Sequence, residues 1–543
     1  MMGIQLVWLK RDLRVSDHAP LAAAAARGPV VVLYVYEPEL MTAPEHDASH
    51  LRFVNECLAE VDAELRSRGH DGVTYRVGAM PDVLEALHRE VPIAELHSHE
   101  ETGGAVTYAR DKRVAAWAKA RGVPWTEHPQ TGVIRRLKTR DGWAKRWHDR
   151  MGQPVVEAPL RLLGDRTIAR EMLRTERDLG LAPSTKHEAL RGGATLGHKV
   201  LESFLAKRGM HYRSDMSSPV EGWEGCSRLA PYLAYGATSM REVFHATRHR
   251  VDELRSMHST RKRDPEITAW LQSLSSFEGR LHWHCHFMQK LEDEPRIEFE
   301  NMSRAADGLR ENDHRQELFD AWCAGKTGYP LVDACMRALH AGGWLNFRMR
   351  AMLMSFASYH LWLHWRPTSV VLATQFLDFE PGIHFSQAQM QSGTTGINAV
   401  RIYSPTKQVH DQDPRGVFIR RYVPELEGIP DAYLAEPWKM PPLEQIACGI
   451  VIGKTYPPPI VDHAEAVAEA KRRIFAKRRS PAAREEAARV FEKHGSRRGP
   501  RTRTRASEAE GTKKRVAKTH ARADSTEAPT PKKRTTKKNS QAD

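Results

Sequence analysis

Residues 321–356 read AWCAGKTGYPLVDACMRALHAGGWLNFRMRAMLMSF, and the reading of this stretch decides the rest. Its second half is almost wholly apolar, yet it carries Arg348 and Arg350 two residues apart. Apolar residues at three- and four-residue spacing predict a helix that continues from Pro330 to Trp365. A guanidinium held in such surroundings needs an anionic partner, because an unpaired buried charge is too costly to keep. Asp378 and Glu380, in FLDFEPGIHF, are carboxylates set in equally apolar sequence and need a cation in turn. Buried opposite charges beside aromatic residues suit a polar ligand in a dry helical pocket. They also suit a structural ion pair between two core helices, and spacing alone leaves both readings open.

Outward from this stretch, the 543 residues are enough for two or three domains with sizeable cores. At 41% hydrophobic and 28% charged residues, the composition is that of a globular protein. No apolar run reaches the roughly 20 residues that would span a bilayer. The start, MMGIQLVWLKRDLR, lacks the cleavage site of a signal peptide, so an intracellular protein is expected. Cys57, Cys226, Cys285, Cys323, Cys335 and Cys448 form no CxxC pair, which argues against a disulfide framework or a zinc ribbon.

The net charge of +14 is unevenly placed. From Lys471 to Asp543 there are 24 Lys and Arg against 8 Asp and Glu, a surplus of 16 that leaves the preceding chain two charges negative. Residues 479–543 form a Lys/Arg-rich segment with no aromatic residue after Phe491, and it is expected to be disordered on its own. Its runs RRGPRTRTR and PKKRTTKK would contact DNA phosphates without reading bases.

Residues 4–9 and 30–36 are apolar runs separated by an alanine-rich segment. With Gly72–Val77, the helix-like MPDVLEALHRE and Ile93–Ser98, they predict an α/β doubly wound parallel sheet over residues 1–130. HSHEETG at 97–103 follows a strand, and Glu100, Glu101 and Thr102 are expected to cap the next helix. Residues 131–196 gather Pro, Arg, Gly and Asp and read as an interdomain connection. Residues 197–478 show helical periodicity throughout and read as a large all-α domain.

The 321–356 stretch, followed by RIYSPTKQ and DPRGVFIRRYVPEL and preceded by LVWLKRDLRVSDHAPL near the start, resembles the cryptochrome/photolyase family. The resemblance runs from about residue 5 to residue 430. It implies that the helical domain binds FAD and that the α/β domain can hold a second, light-harvesting chromophore whose identity the residues do not fix. It further implies a monomer acting on UV-damaged DNA, in the cytoplasm and nucleoid or in a nucleus. The implied activity is that of a blue-light-driven DNA photolyase of a divergent branch. Reduced FAD would pass an electron to a pyrimidine dimer, the cyclobutane type being favoured and the (6-4) product the alternative. The rival reading is a cryptochrome-type blue-light photoreceptor that signals through its carboxyl-terminal tail.

The same resemblance assigns residues. HYRSDMSSPVEGWEGCSRLAPYLAYGATSMREV is similar to the family's phosphate-cradling turn, with Tyr212, Cys226, Ser227, Arg228, Leu229 and Ala230 as cofactor contacts. Small residues at a helix start suit a diphosphate on physical grounds as well. Arg350 and Asp378 match a salt bridge near the flavin ring, with Glu380 replacing a usual aspartate; His284 and Trp344 join the cofactor-binding set. His384 falls where a residue faces the flavin's reactive nitrogen. Trp283, Arg280 and Phe347 fall in the lesion pocket, where a flipped base wants an aromatic wall. Arg280 and Phe347 depart from the glutamate and asparagine that are usual there, and SQAQ at 386–389 stands where a tryptophan pair is usual. Trp362, Trp365 and Tyr359 remain as an electron relay. His282, His284 and His286 would converge only on a strand, so no metal site is expected in this helical segment.

Overall fold

The computed structural model describes residues 3–260 and 264–496. Its first part is a parallel sheet of five strands, β1 (Ile4–Trp8), β2 (Val30–Tyr36), β3 (Val73–Val77), β4 (Ile93–His99) and β5 (Trp125–His128), in the order β3-β2-β1-β4-β5. Four of the five are legible in the sequence. The fifth, WTEH, is a four-residue edge strand with no apolar run to mark it. Helices α1 (Ala19–Ala25), α2 (Ala48–Ser67), α3 (Met80–Glu90) and α4 (Ala105–Arg121) make the crossovers. Side-chain alternation sends Ile4, Leu6, Trp8, Val31, Leu33 and Val35 into one core and Val7, Leu9, Val30 and Val32 into another. Both faces are covered, which is why these strands read as unbroken apolar runs.

Chain order reverses about β1, so ligands are expected in the crevice beyond the carboxyl ends of β1 and β4. The helix that follows β4 is not capped by Glu100, Glu101 or Thr102. Its first amide, on Ala105, donates to Glu298 Oε2 at 2.7 Å, an acid almost two hundred residues away. Glu101 is taken by Arg110, and the Thr102 hydroxyl donates to Glu292 at 2.8 Å. A local motif lost to a partner from the helical half of the chain.

Residues 131–196 hold one further helix, Trp143–Met151, and are otherwise irregular up to Ala194. The helical half then includes α5 (Ala230–Ala234), α6 (Pro265–Asp293), α7 (Pro330–Gly342), α8 (Phe347–Ser355), α9 (Trp365–Gln375), α10 (Pro381–Ser392), α11 (His463–Arg478) and α12 (Pro481–His494). The single helix expected from Pro330 to Trp365 is divided. Gly343 takes a left-handed conformation at φ 70° and ends α7, as glycine at a helix terminus can. After α8 a π-helical turn at Phe356–His360 and a left-handed Trp362 break the path again. Apolar periodicity runs through all of it, because every segment is buried on most of its faces.

The folded body reaches further than residue 478. Ser480 caps α12 by accepting from Ala483 N–H at 3.1 Å, and Ala483, Glu486, Val490 and His494 form its buried stripe. Ala, Glu and Arg are strong helix formers, so PAAREEAARVFEKH folds where low aromatic content suggested disorder. The basic runs after residue 496 lie outside the described residues. Among the described residues no helix is long and apolar enough to cross a membrane.

Asp333, in the opening stretch, is fully buried and anchors the start of α7. It accepts from Thr327 N–H and hydroxyl at 2.7 and 2.6 Å, from Gly328 N–H at 3.0 Å and from Tyr456 hydroxyl at 2.6 Å. Burial pushes its carboxyl up to about 6. Asp333→Ala strands these donors, and we expect a loss of roughly 3 kcal/mol or more in a denaturant titration.

Candidate flavin site

The pair that the opening stretch demands is present. Arg350, on α8, donates from Nη1 and Nη2 to the two oxygens of Asp378, each at 2.8 Å, and from Nε to Leu345 O at 2.7 Å. Asp378 is only 4% exposed on its side chain, and Phe376 lies against the guanidinium at 4.2 Å. Such a planar fork is the strong form of an arginine–carboxylate contact. Arg348 fares differently. It has no carboxylate partner among the described residues, and its Nε is buried without a hydrogen bond.

Glu380 pairs with His284 rather than with an arginine. His284 Nε2, on α6, lies 2.7 Å from Glu380 Oε2 at the start of α10. Gly382 permits this approach, since a Cβ there would come within 2.8 Å of Met288 Cα on α6. Burial opposes a charge on His284, but the Glu380 carboxylate prevails and pushes the imidazole up to about 10. The site therefore keeps a proton between two buried groups at neutral pH.

The turn before α5 brings more cations. Arg208 donates to Cys226 O at 2.6 Å, and burial with Arg228 nearby lowers it to about 10. Arg228 adopts a left-handed backbone at φ 60° and lies 5.0 Å from the Trp223 ring, which meets Trp344 edge-on at 5.3 Å. Because α5 is a single turn of five residues, Ser227, Leu229 and Ala230 offer amides with little dipole behind them. The positive charge comes from side chains. Arg208 was not anticipated; its place four residues before Tyr212 was the only signal. Tyr212 itself packs between Phe204 and Phe277, at 5.6 and 6.0 Å. Burial pushes Cys226 up to about 12, and the contact of Trp223 with Trp344 sets this turn beside the start of α8.

The remaining residues have the following surroundings. His384 Nε2 is bound to Ser369 O at 2.7 Å, and burial lowers the ring to about 4, so it is a neutral core imidazole. Trp365 is fully buried with Nε1 donating to Asn301 Oδ1 at 2.8 Å. Trp362 lies between Arg310 and Arg473, at 4.3 and 5.0 Å, and its Nε1 donates to Asp313 Oδ2 at 2.9 Å, so charges of both signs border the indole. Tyr359 has a buried hydroxyl with no hydrogen-bond partner to take its proton. Trp283 is half-buried against Phe287 and His286, at 5.6 and 4.9 Å. Arg280 is exposed and lies 5.8 Å from the ring of Phe347, which is 45% exposed.

The three histidines of HWHCH diverge: His282 toward Trp143 and Trp147, His284 to Glu380, His286 to Arg140 and Trp143. A different trio escaped the sequence reading. Asp12, His18 and His99 meet beyond β1 and β4, with Asp12 Oδ2 3.1 Å from His18 Nε2 and 2.8 Å from His99 Nδ1. His18 Nδ1 already accepts from Leu21 N–H, so its Nε2 carries the proton and has no lone pair for a metal. The trio is a hydrogen-bonded hub. Beside it a cleft opens among Trp8, Lys10, Glu37, Arg110 and Tyr235.

The polar atoms left over around Arg350 suit a polar cofactor. Asn346 Oδ1, Arg228 Nε and Arg348 Nε are all buried without partners. Comparison with known proteins agrees with this chemistry. Residues 277–476 match the FAD binding domain of DNA photolyase, and residues 5–142 match the DNA photolyase family. The chain belongs to the photolyase/cryptochrome family, and its helical half is that family's FAD-binding domain. It is 29% identical to a cryptochrome DASH of Gloeobacter violaceus, over 84% of this chain and 93% of that one. It is 26% identical to a deoxyribodipyrimidine photo-lyase of Alkalihalophilus pseudofirmus, over 85% and 96%. A bacterial class III photolyase from Agrobacterium tumefaciens has the same fold, with a TM-score of 0.75 and 24% identity over 88% of this chain and 98% of that one.

Two outcomes follow from this geometry. Asp378→Ala leaves the Arg350 guanidinium without its counter-charge, at roughly 3–5 kcal/mol, and the purified variant should lose its flavin absorbance. His284 gives a pH signature: between its ordinary 6.5 and about 10 the folded state holds a proton that the unfolded chain has released. The stability it contributes is complete below pH 6.5 and is lost as pH rises through 10. Melting temperatures across pH 6–10 should fall in wild type, and His284→Gln should flatten that fall.

Proposed function

We propose that the chain is a blue-light-driven DNA photolyase that splits pyrimidine dimers, with the cyclobutane type as the favoured lesion. The observation that carries this reading is the exposed pairing of an aromatic ring with a guanidinium beside the flavin site. Phe347 and Arg280 meet on the surface where α8 and α6 adjoin, one turn from Arg350 and His284. An exposed ring offers a stacking face to an extruded base, and Arg280 offers a positive charge to a lesion's phosphate or carbonyl oxygens. Trp283, on the adjacent face of α6, adds a second aromatic wall.

Reduced FAD, when bound, supplies the electron that opens the dimer under blue light. This chain's residues bind and orient it. Arg228 would hold the diphosphate on a turn that Arg208 braces through Ser203 and the backbone carbonyls of Val200, Glu224, Cys226 and Ser227. Arg350 and Asp378 would meet the polar edge of the ring, and the His284–Glu380 pair would keep a proton within the same wall. The cleft beyond β1 supports a second, light-harvesting chromophore. Basic runs near the carboxyl end would add sequence-independent phosphate contacts.

The rival is a cryptochrome-type photoreceptor, and relatives of both kinds resemble the chain to a similar degree. One experiment separates them. The reduced protein is irradiated with blue light in the presence of oligonucleotides carrying a cyclobutane dimer or a (6-4) product, and the return of normal pyrimidines is followed. Repair of the cyclobutane dimer is the expected result. Trp283→Ala should weaken lesion binding by roughly 1–3 kcal/mol per stacked base while flavin stays bound. Repair of neither lesion overturns the reading in favour of the photoreceptor.

A further inference from the structure

Away from the flavin site, α11, α12 and the turn after α10 border a solvent-open cleft of about 230 Å³. Its walls are small and apolar, with Ala305, Ala306, Ala483 and Ala487 leaving the room and Leu309 and Ile474 lining it. Its charges are all of one sign. Lys477, Arg478 and Arg484 line the cleft, and no carboxylate does.

These cations are not neutralised elsewhere. Lys477 donates to Asp307 O at 2.9 Å, and Arg478 donates to Asn398 O at 2.9 Å and Gly393 O at 3.0 Å. Backbone carbonyls satisfy N–H groups without supplying a negative charge. Burial lowers Arg478 from its ordinary value, and the group that opposes this is a phenol, Tyr359, rather than an acid. Tyr359 hydroxyl is itself buried without a partner, and a Cβ on Gly393 would sit 2.7 Å from it. The glycine backbone thus lies between that orphaned hydroxyl and the cleft.

Concentrated positive charge in a concave site raises the local concentration of anions. Lys477 and Arg484 are exposed and together suit a tetrahedral oxyanion, Arg484 by its fork and Lys477 as a point charge, with Arg478 adding charge behind them. No aromatic ring lines the cleft, so it offers nothing for a nucleobase to stack on. The geometry points to a binding site for a phosphate group, free or carried as the monoester of a small apolar or sugar-like molecule, held by Lys477, Arg478 and Arg484. It is distinct from the flavin site and its lesion face, and it does not depend on which reaction the flavin drives.

Calorimetric titration of the flavin-loaded full chain, in chloride buffer, tests this with inorganic phosphate in one arm and ribose 5-phosphate in the other. One-to-one binding in either arm is expected, and the arm that binds identifies the source of the phosphate. Ala487→Glu puts a carboxylate into the cleft and should abolish binding, with flavin absorbance and melting temperature unchanged. Should that variant fail to fold, the double variant Lys477→Gln and Arg484→Gln carries the test, with affinity expected to fall at least tenfold. Absence of binding in both arms overturns the inference. So does equal affinity in wild type and variants, which would place the phosphate on some other basic surface.

Discussion

A guanidinium cannot be left in a dry interior without a negative charge, and the flavin half of this molecule is arranged to honour that for Arg350. Asp378 lies on the turn between α9 and α10, so the fork between them fixes where α10 begins. Where α10 begins fixes Glu380, and Glu380 in turn settles the protonation of His284 on α6. Three helices distant in the chain are registered by two hydrogen-bonded charge pairs. The contacts of Gly382 with α6 show how little space the arrangement leaves. Each pair is worth most as a constraint, because breaking either strands a buried charge.

Much of the architecture was legible because it rests on patterns local to the chain. Strands β1 and β2 announce themselves as apolar runs, and apolar surroundings set Arg348 and Arg350 against Asp378 and Glu380 as candidate partners, the pairing of Arg350 with Asp378 following from the family resemblance. What stayed hidden were choices between local and distant partners. Glu101 had the chemistry to cap α4, yet Arg110 took it and Glu298 did the capping. Glu380 could have met Arg348; it met a histidine. The break after α7 was written in Gly342 and Gly343, but periodicity on either side masked it, since the neighbouring segments are buried all round. In α12, composition misled: a lack of aromatic residues does not stop an alanine-rich segment from docking a narrow stripe.

The aromatic residues show the same limit from the other side. Trp362 and Trp365 differ by three positions and share a residue type, but one is flanked by two guanidinium groups and the other is fully enclosed with its N–H bound to Asn301. Their surroundings differ through neighbours that come from other segments. The surroundings of His384 are likewise set from another segment, since its Nε2 meets the Ser369 carbonyl.

The carboxylate of Glu298 at the head of α4, together with Arg11 donating to Phe379 O at 2.8 Å, ties the sheet to the helices through backbone groups. Neither contact can slide without exposing an amide or a carbonyl that has no other partner. A displacement of the sheet is therefore handed straight to the turn that carries Asp378 and Glu380, so the edge of β1 and the wall beside α8 share one frame of reference.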